Sequence, residues 1–500
     1  MQPTLHIQKQ SITLDENAGT LLAAIQNAGV EFSAPCGGGG TCKKCRVLVR
    51  DASETRYVLA CQTNAADVTE VYVDNAKPMV VADDGIDLPF SCEEGQSGYG
   101  FAIDVGTTTL ACHLYDLSTG TKLSTAGRSN PQASFGADVL ARINASIDGK
   151  LDAMAMLLGT ALESMMSACC KDEGVSPESI ERVTLAGNTV MEHIACGLDP
   201  SSIGVAPFTP RSFFGDERRI PGFSKPALFT PVISGYVGGD ITADILVTQM
   251  AKGEKLTLMI DLGTNGEMAL GSSARVLTCA TAAGPVFEGA NIACGMPARP
   301  GAIAACSFKD GELHLTTIQD EAPCGICGTG LISAIAMCLD EGIVDETGYM
   351  LDADEAEGPL AALLQETDDG MRLNLADGVY LTQSDVRNVQ LAKAAICAGA
   401  RTLFEEYGIC AEDVDALLIA GGFGQFLDIE AAARIALIPP ELASRAHAIG
   451  NGAVQGAASM LISAQARKEA ASIATTCDYI ELSCSQRFNA LYIEEMSFPE

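Results

Sequence analysis

The chain is short of positive charge. Its 500 residues hold 31 Lys and Arg against 64 Asp and Glu, a formal charge of −33 that repels a phosphate backbone. Nucleic acid and anionic membrane surfaces are therefore poor partners. No apolar run approaches 18 residues, and the first ten residues, MQPTLHIQKQ, have neither a basic n-region nor an apolar h-region. No targeting or spanning segment is expected, and a cytoplasmic location is. No G-x-x-x-x-G-K-[ST] occurs, which excludes a P-loop. A disulfide framework is missing too: of 19 cysteines most, such as Cys112, Cys169, Cys170, Cys196 and Cys397, sit in apolar segments as small hydrophobes. With 47% hydrophobic and only 19% charged residues, the length predicts about three globular domains with large cores.

The first dense signal is APCGGGGTCKKC at residues 34–45, followed by a strand at 46–49 and a further cysteine in LACQ at 59–62. Cys36, Cys42, Cys45 and Cys61 are spaced C-x5-C-x2-C-x15-C. Three thiolates on one glycine-rich loop and a fourth from a distant segment suit a [2Fe-2S] cluster, because glycines let backbone N–H groups approach the cluster sulfurs. Tetrahedral zinc is the alternative, since C-x2-C is also a zinc knuckle. Zinc sites usually bring two knuckles, and zinc has no need of four preceding glycines.

The second signal is duplicated. TLMIDLGTNGEMAL at residues 257–270 is an apolar strand ending in Asp261, a turn Gly263-Thr264-Asn265-Gly266 and a second strand. FAIDVGTTTLAC at 101–112 repeats the order with Asp104, Gly106, Thr107, Thr108 and Thr109. In each, the acid at the strand end can bind Mg²⁺ through water, the glycines allow a tight turn with positive φ, and the hydroxyl, amide and N–H groups face anionic oxygens. A third strand, LLIA at 417–420, opens into Gly421-Gly422-Phe423-Gly424.

Other stretches allow two readings. Gly187-Asn188-Thr189 after a strand suits phosphate contact or a helix cap. Asp240, after Gly238 and Gly239, suits an acid that aligns an attacking water or an N-cap. In CGICGTGL at 324–331, Cys324 and Cys327 invite a redox pair, but Gly328 and Gly330 favour a loop capping a helix whose N-terminus faces a nucleotide. AAGPVFEGANIACGMPARPGAI at 282–303 has little charge and suits a loop that docks on a partner, and residues 352–369 form an acidic, solvated insertion. Cys92 has no neighbour in sequence to partner it.

The two D-x-G-T hairpins and the GGFG turn resemble the phosphate and adenosine loops of the acetate and sugar kinase, Hsp70 and actin (ASKHA) superfamily, and the cysteine loop resembles a plant-type β-grasp ferredoxin. Together they resemble the reductive activators of corrinoid proteins. The resemblance implies an α/β chain: a β-grasp [2Fe-2S] domain over 1–76, a linker over 77–99, and a two-lobed actin-like ATPase. Lobe I is expected at 100–235, with 453–500 returning to it, and lobe II at 236–452. It implies ATP and Mg²⁺ as cofactors, Asp104, Asp240 and Asp261 as catalytic acids, and Asn451, at a second inter-lobe connection, beside the nucleotide. The activity implied is ATP-driven electron transfer from the cluster to cob(II)alamin of a corrinoid protein in a methyltransferase system. The family's larger members have a further domain between cluster and ATPase, where only the linker is expected here. So short a linker leaves a swing of the domain, a bridging partner or a homodimer as routes for the electron.

Overall fold

The apolar strands that end at Asp104 and Asp261 are each placed inside a six-stranded sheet. The structure is a computed structural model and describes residues 4–7, 10–14, 19–27, 34, 38–40, 45–50, 55–73, 86–368, 370–422 and 426–499. The first sheet runs Glu217–Arg219, Pro226–Phe229, Ile180–Gly187, Tyr99–Val105, Thr109–Asp116, Thr121–Ser129. The second runs Ala446–Gly450, Ala416–Ala420, Thr257–Leu262, Gly266–Ser272, Arg275–Thr281, Asp478–Tyr479. The plan is the same in both. Each Asp-bearing strand pairs antiparallel with its hairpin partner and parallel with a later strand, Ile180–Gly187 or Ala416–Ala420. Helices cover these sheets, so their central strands read as continuous apolar runs: Phe101, Ile103 and Val105 are fully buried, as are Leu258 and Ile260.

Two helices join the lobes. Gly239–Thr248 and Gly452–Ile462 cross so closely that a Cβ on Gly456 would lie 2.3 Å from the carbonyl oxygen of Ala243. The second helix is fastened to the first sheet by hydrogen bonds from Thr184 Oγ1 to the Ala457 carbonyl at 2.7 Å and from Arg182 to the Leu461 carbonyl at 2.8 Å.

The expected return of 453–500 to the first lobe holds only for this helix. Asp478–Tyr479 pairs with Arg275–Thr281 in the second sheet, and the helix Gln486–Glu494 packs on Gln383–Tyr407 through Arg487–Glu405 and Arg401–Glu495 ion pairs. Phe498 is buried in the second lobe's core. An amphipathic tail carries no mark of which lobe offers it an apolar face.

The linker is also partly built into the ATPase. Leu88 and Cys92 pack beside Tyr115, Leu117 and Ile462, and Glu93 pairs with Arg467 at 2.5 Å. Cys92 thus has a packing role that sequence neighbours did not reveal. Likewise, the acidic insertion is not solvated throughout, because Leu360 and Leu364 are buried.

The N-terminal domain is a mixed five-stranded sheet, ordered Gln10–Thr13, Thr4–Ile7, Glu70–Val73, Arg46–Arg50, Thr55–Leu59, with the helix Leu21–Asn27 packed through Leu21, Leu22 and Ile25. Among the described residues one helical stretch, Val139–Glu173, is long and apolar enough to cross a membrane by length and composition. Charged residues such as Arg142, Asp148, Lys150 and Glu163 interrupt it in sequence, and Leu158, Leu162, Met165 and Met166 on it are buried in the first lobe's core.

Candidate functional site

The two Asp-bearing hairpins face each other across a cavity of about 480 Å³ between the lobes. Asp104, Gly106, Thr107, Thr108, Thr109, Asp240, Asp261, Gly263, Thr264, Asn265, Gly328, Gly421, Gly422 and Asn451 all line it. These come from both lobes and both crossing helices, which is why no window of sequence contains the site. Phe423 and Gly424 lie outside the described residues.

Several expectations need correction. Gly266 and Gly330 are not among the lining residues. Neither Gly263 nor Gly266 has a positive φ. Gly266 is required by space instead, since a Cβ there would come 2.7 Å from Thr281 Oγ1. Gly330 is likewise a packing residue, because its Cβ would lie 2.0 Å from the Ile303 carbonyl oxygen. The positive φ falls at Gly421, at +94°, where a Cβ would also meet Asp261 Oδ1 at 2.6 Å.

Hydrogen bonds fix the first turn. Asn130 donates to the Gly106 carbonyl at 2.8 Å, the buried Arg142 to the Thr107 carbonyl at 2.5 Å, and Asn188 to Thr107 Oγ1 at 3.0 Å. Asn188 also caps the helix Thr189–Ala195 by accepting from Met191 N at 3.0 Å, which is the helix-cap reading of that turn. Asn451 caps its own helix and donates to Asp104 Oδ2 at 2.7 Å. Asp240 Oδ1 accepts from Ile241 N at 2.8 Å.

Sequence reasoning missed Glu267, Glu288 and Arg142. Glu267 belongs to the second hairpin, within the strand Gly266–Ser272, where a single acid carries no turn or spacing signal. Glu288 is the one acid of the low-charge 282–303 segment and stands in no spacing pattern with other acids.

Carboxylates crowd this cavity. Asp104, Asp240, Asp261, Glu267 and Glu288 line it, and no Lys or Arg is among its described lining residues. Desolvation pushes Asp104 up to about 6, with the Asn451 amide opposing, and Asp240 up to about 7, helped by the charge of Asp104. Asp261 rises to about 8 through desolvation and the charges of Asp240 and Asp104, and Glu267 is raised in the same way. Like charges sharing one desolvated cavity favour protonation, and among the described residues no three acidic, His or Cys side chains are grouped closely enough to hold a metal ion by themselves. An all-oxygen donor set fits a hard divalent ion rather than a soft one.

The cysteine loop is a separate site. Cys45 and Cys61 are both buried, with Sγ atoms 3.2 Å apart, although the strand Arg46–Arg50 and the turn Ala60–Gln62 bring them from sixteen residues' separation. That distance suits two ligands of one metal ion, since metal–sulfur bonds of about 2.3 Å set tetrahedral sulfurs under 4 Å apart. Gly38 and Gly40 have φ of +92° and +75°, and a Cβ on Gly40 would meet Gln62 Nε2 at 2.6 Å. Cys36 and Cys42 lie outside the described residues. Cys324 and Cys327 are both free: Cys327 donates to the Ile303 carbonyl, while Cys324 lies 3.7 Å from Met296 Sδ. The helix Gly328–Asp340 starts at the cavity, as the capping-loop reading expects.

Family models match almost end to end. Residues 5–66 match the 2Fe-2S iron-sulfur cluster binding domain, 99–253 the RACo middle region, and 255–500 the C-terminal domain of RACo, the ASKHA domain. The chain belongs to the RACo family. It therefore carries a [2Fe-2S] domain and a nucleotide-binding ASKHA ATPase. The family's middle region, 99–253, is the segment that builds the first lobe. Among relatives, the corrinoid activation enzyme RamQ of Eubacterium limosum is 29% identical over 94% of both chains. The [Co(II) methylated amine-specific corrinoid protein] reductase of Methanosarcina barkeri is 26% identical over 80% of this chain and 77% of its own. A solved structure of a reductive activator for corrinoid, iron-sulfur protein is 28% identical, covers 100% of this chain and 98% of its own, and superposes with a TM-score of 0.74.

Proposed function

We propose that this chain reductively activates a corrinoid protein, passing an electron from its [2Fe-2S] cluster to cob(II)alamin to regenerate cob(I)alamin, with ATP hydrolysis in the inter-lobe cleft driving the transfer. The observation that carries this is the union in one chain of the close Cys45–Cys61 pair and a cleft faced by two Asp-Gly-Thr hairpins. The near full-length likeness to RamQ and to the Methanosarcina reductase supports the choice of a corrinoid protein as partner.

Cys36, Cys42, Cys45 and Cys61 hold the cluster in this proposal. Asp104 and Asp261 hold Mg²⁺ through water, the Thr107, Thr108, Thr264 and Asn265 groups donate to phosphate oxygens, and Asp240 aligns the attacking water. Asn451 keeps Asp104 oriented, and Gly421, Gly422, Phe423 and Gly424 border the adenosine. The bound Mg²⁺ neutralises charge on the phosphates. An uphill electron costs about 2.3 kcal/mol per 100 mV. Closure of the lobes on nucleotide selects the partner state that accepts it, and hydrolysis releases that state. We place the reaction in a cytoplasmic methyltransferase system, with the electron crossing either within one chain or between two in a homodimer.

The test mixes chemically reduced protein with a cob(II)alamin-loaded partner and follows cob(I)alamin absorbance with and without Mg²⁺ and ATP. The expected result is transfer that depends on nucleotide, lost in Asp261→Asn while the visible iron-sulfur spectrum is kept. Equal rate and extent with and without nucleotide would refute the coupling. A phosphorylated small molecule would make the chain a kinase.

A further inference from the structure

Glu288 belongs to no motif, yet its carboxylate bridges the two lobes across the cleft. Its Oε2 accepts from Thr108 Oγ1 at 2.6 Å and from Thr264 Oγ1 at 2.9 Å, and its Oε1 accepts from Thr264 Oγ1 at 3.1 Å. The two threonine hydroxyls are 3.4 Å apart. One comes from each lobe, so a single side chain spans both phosphate-type turns. Arg142, behind Thr107, contributes the favourable charge at this point. Two turns that converge hydroxyl donors near a guanidinium make a place for an anion, and the protein fills that place with a carboxylate of its own.

The carboxylate also begins a strap. It ends the turn Pro285–Glu288, after which Gly289 at φ +82° turns the chain so tightly that a Cβ would meet Met296 N at 2.5 Å. The strap is held to the second lobe by Ala293 N donating to Asp385 at 2.8 Å and Met296 N donating to the Ile326 carbonyl at 2.9 Å. It then returns to the first lobe, where Arg299 donates to Ser129 Oγ at 3.2 Å. Residues 288–299 thus touch the first lobe at both ends.

We infer that Glu288 is the residue through which the cleft distinguishes a nucleoside triphosphate from a diphosphate, and that its displacement frees the 288–299 strap. This rests on the nucleotide reading of the cleft. A threonine hydroxyl has one proton to donate, so Thr108 and Thr264 cannot serve Glu288 and a phosphate together. A phosphate chain that reaches both turns takes both donors and sets negative oxygens against the carboxylate. A diphosphate that stops at one turn leaves Glu288 on the other. The strap then follows the terminal phosphate, and the low-charge segment it belongs to presents a different face to a partner when the triphosphate is bound.

The experiment uses the full chain with its cluster. Hydrogen exchange of the wild type is measured alone, with Mg²⁺ and a non-hydrolysable ATP analogue, and with Mg²⁺ and ADP, and affinities for both nucleotides are measured for wild type and Glu288→Gln. The analogue, and not ADP, is expected to raise exchange in 285–299 of the wild type. Glu288→Gln, which removes the competing charge, is expected to bind the analogue about tenfold tighter and ADP within about twofold of wild type. Identical exchange with the two nucleotides would overturn the inference, as would a variant that gains nothing for the analogue or gains equally for ADP. Failure of the wild type to bind either nucleotide would instead overturn the reading of the cleft, and this inference with it.

Discussion

Replacing Gly456 by alanine sets two effects of known size against each other at the crossing of the inter-lobe helices. Gly456 lies inside Gly452–Ile462, and Gly399 inside Gln383–Tyr407. Alanine gains about 1 kcal/mol of helix propensity at either position. Overpacking costs about 1–3 kcal/mol, depending on whether the neighbour can move. At Gly456 the new Cβ would lie 2.3 Å from the Ala243 carbonyl oxygen and 2.5 Å from its carbonyl carbon and Cα, all backbone of a buried helix. At Gly399 it would meet only side-chain atoms, Thr281 Cγ2 at 2.7 Å and Met268 Cε at 3.1 Å. The obstacle at 456 cannot rotate away, so the upper cost of about 3 kcal/mol applies, for a net loss of about 2 kcal/mol. At 399 the cost is about 1 kcal/mol and the change is near neutral. Thermal unfolding of the two variants, with the visible cluster spectrum marking the N-terminal domain separately, checks this. Gly456→Ala is expected to lower the ATPase midpoint by about 2–3 °C and to reduce ATP hydrolysis, since the same helix begins beside Asn451, the partner of Asp104. A Gly456→Ala midpoint at or above wild type would refute the argument that backbone contact outweighs propensity here.

Two further outcomes are expected. The first is a pH dependence: Asp104, Asp240 and Asp261 have pKa values raised to about 6, about 7 and about 8, above the ordinary 3.9 of an unfolded aspartate. The folded state therefore binds more protons, and the stability these groups contribute is complete below about pH 4 and is lost as pH rises through about 6 to 8. In EDTA, wild type should lose stability relative to Asp261→Asn across that window, and Mg²⁺ should reverse the trend. A wild type that gains on Asp261→Asn with rising pH in EDTA would contradict it. Second, Cys61→Ser removes a thiol 3.2 Å from Cys45, so anaerobically purified protein should lose its sulfide and visible absorbance but still bind nucleotide. Stoichiometric zinc without sulfide in the wild type would exclude the cluster instead.

Much of this molecule was legible because its chemistry is local. The four-cysteine spacing and the two Asp-Gly-Thr turns each need only a strand and a few following residues, so a window of sequence contains them whole. The duplicated strand-turn-strand pattern also implied equivalent lobes, since one strand period and one turn dictate one local geometry. The reasons given for individual glycines transferred less well. Gly266 and Gly330 look like ligand-turn residues, but what requires glycine there is the approach of neighbouring elements, Thr281 on the paired strand and Ile396 on a helix at Gly266, and Ile303 at Gly330.

The sequence by itself determined the local elements this protein carries, a glycine-rich cysteine loop in a [2Fe-2S] domain and paired Asp-Gly-Thr turns, because backbone turns and ligand spacing are set by neighbouring residues. Tertiary structure alone decided how those turns meet. It brought Glu288 to Thr108 across 180 positions of chain, drew the carboxylates from both lobes into one cavity where desolvation and mutual repulsion raise their pKa values, and sent the C-terminal tail to the second lobe. Charge interaction and close packing depend on distance in space, and the order of residues along the chain does not contain that distance.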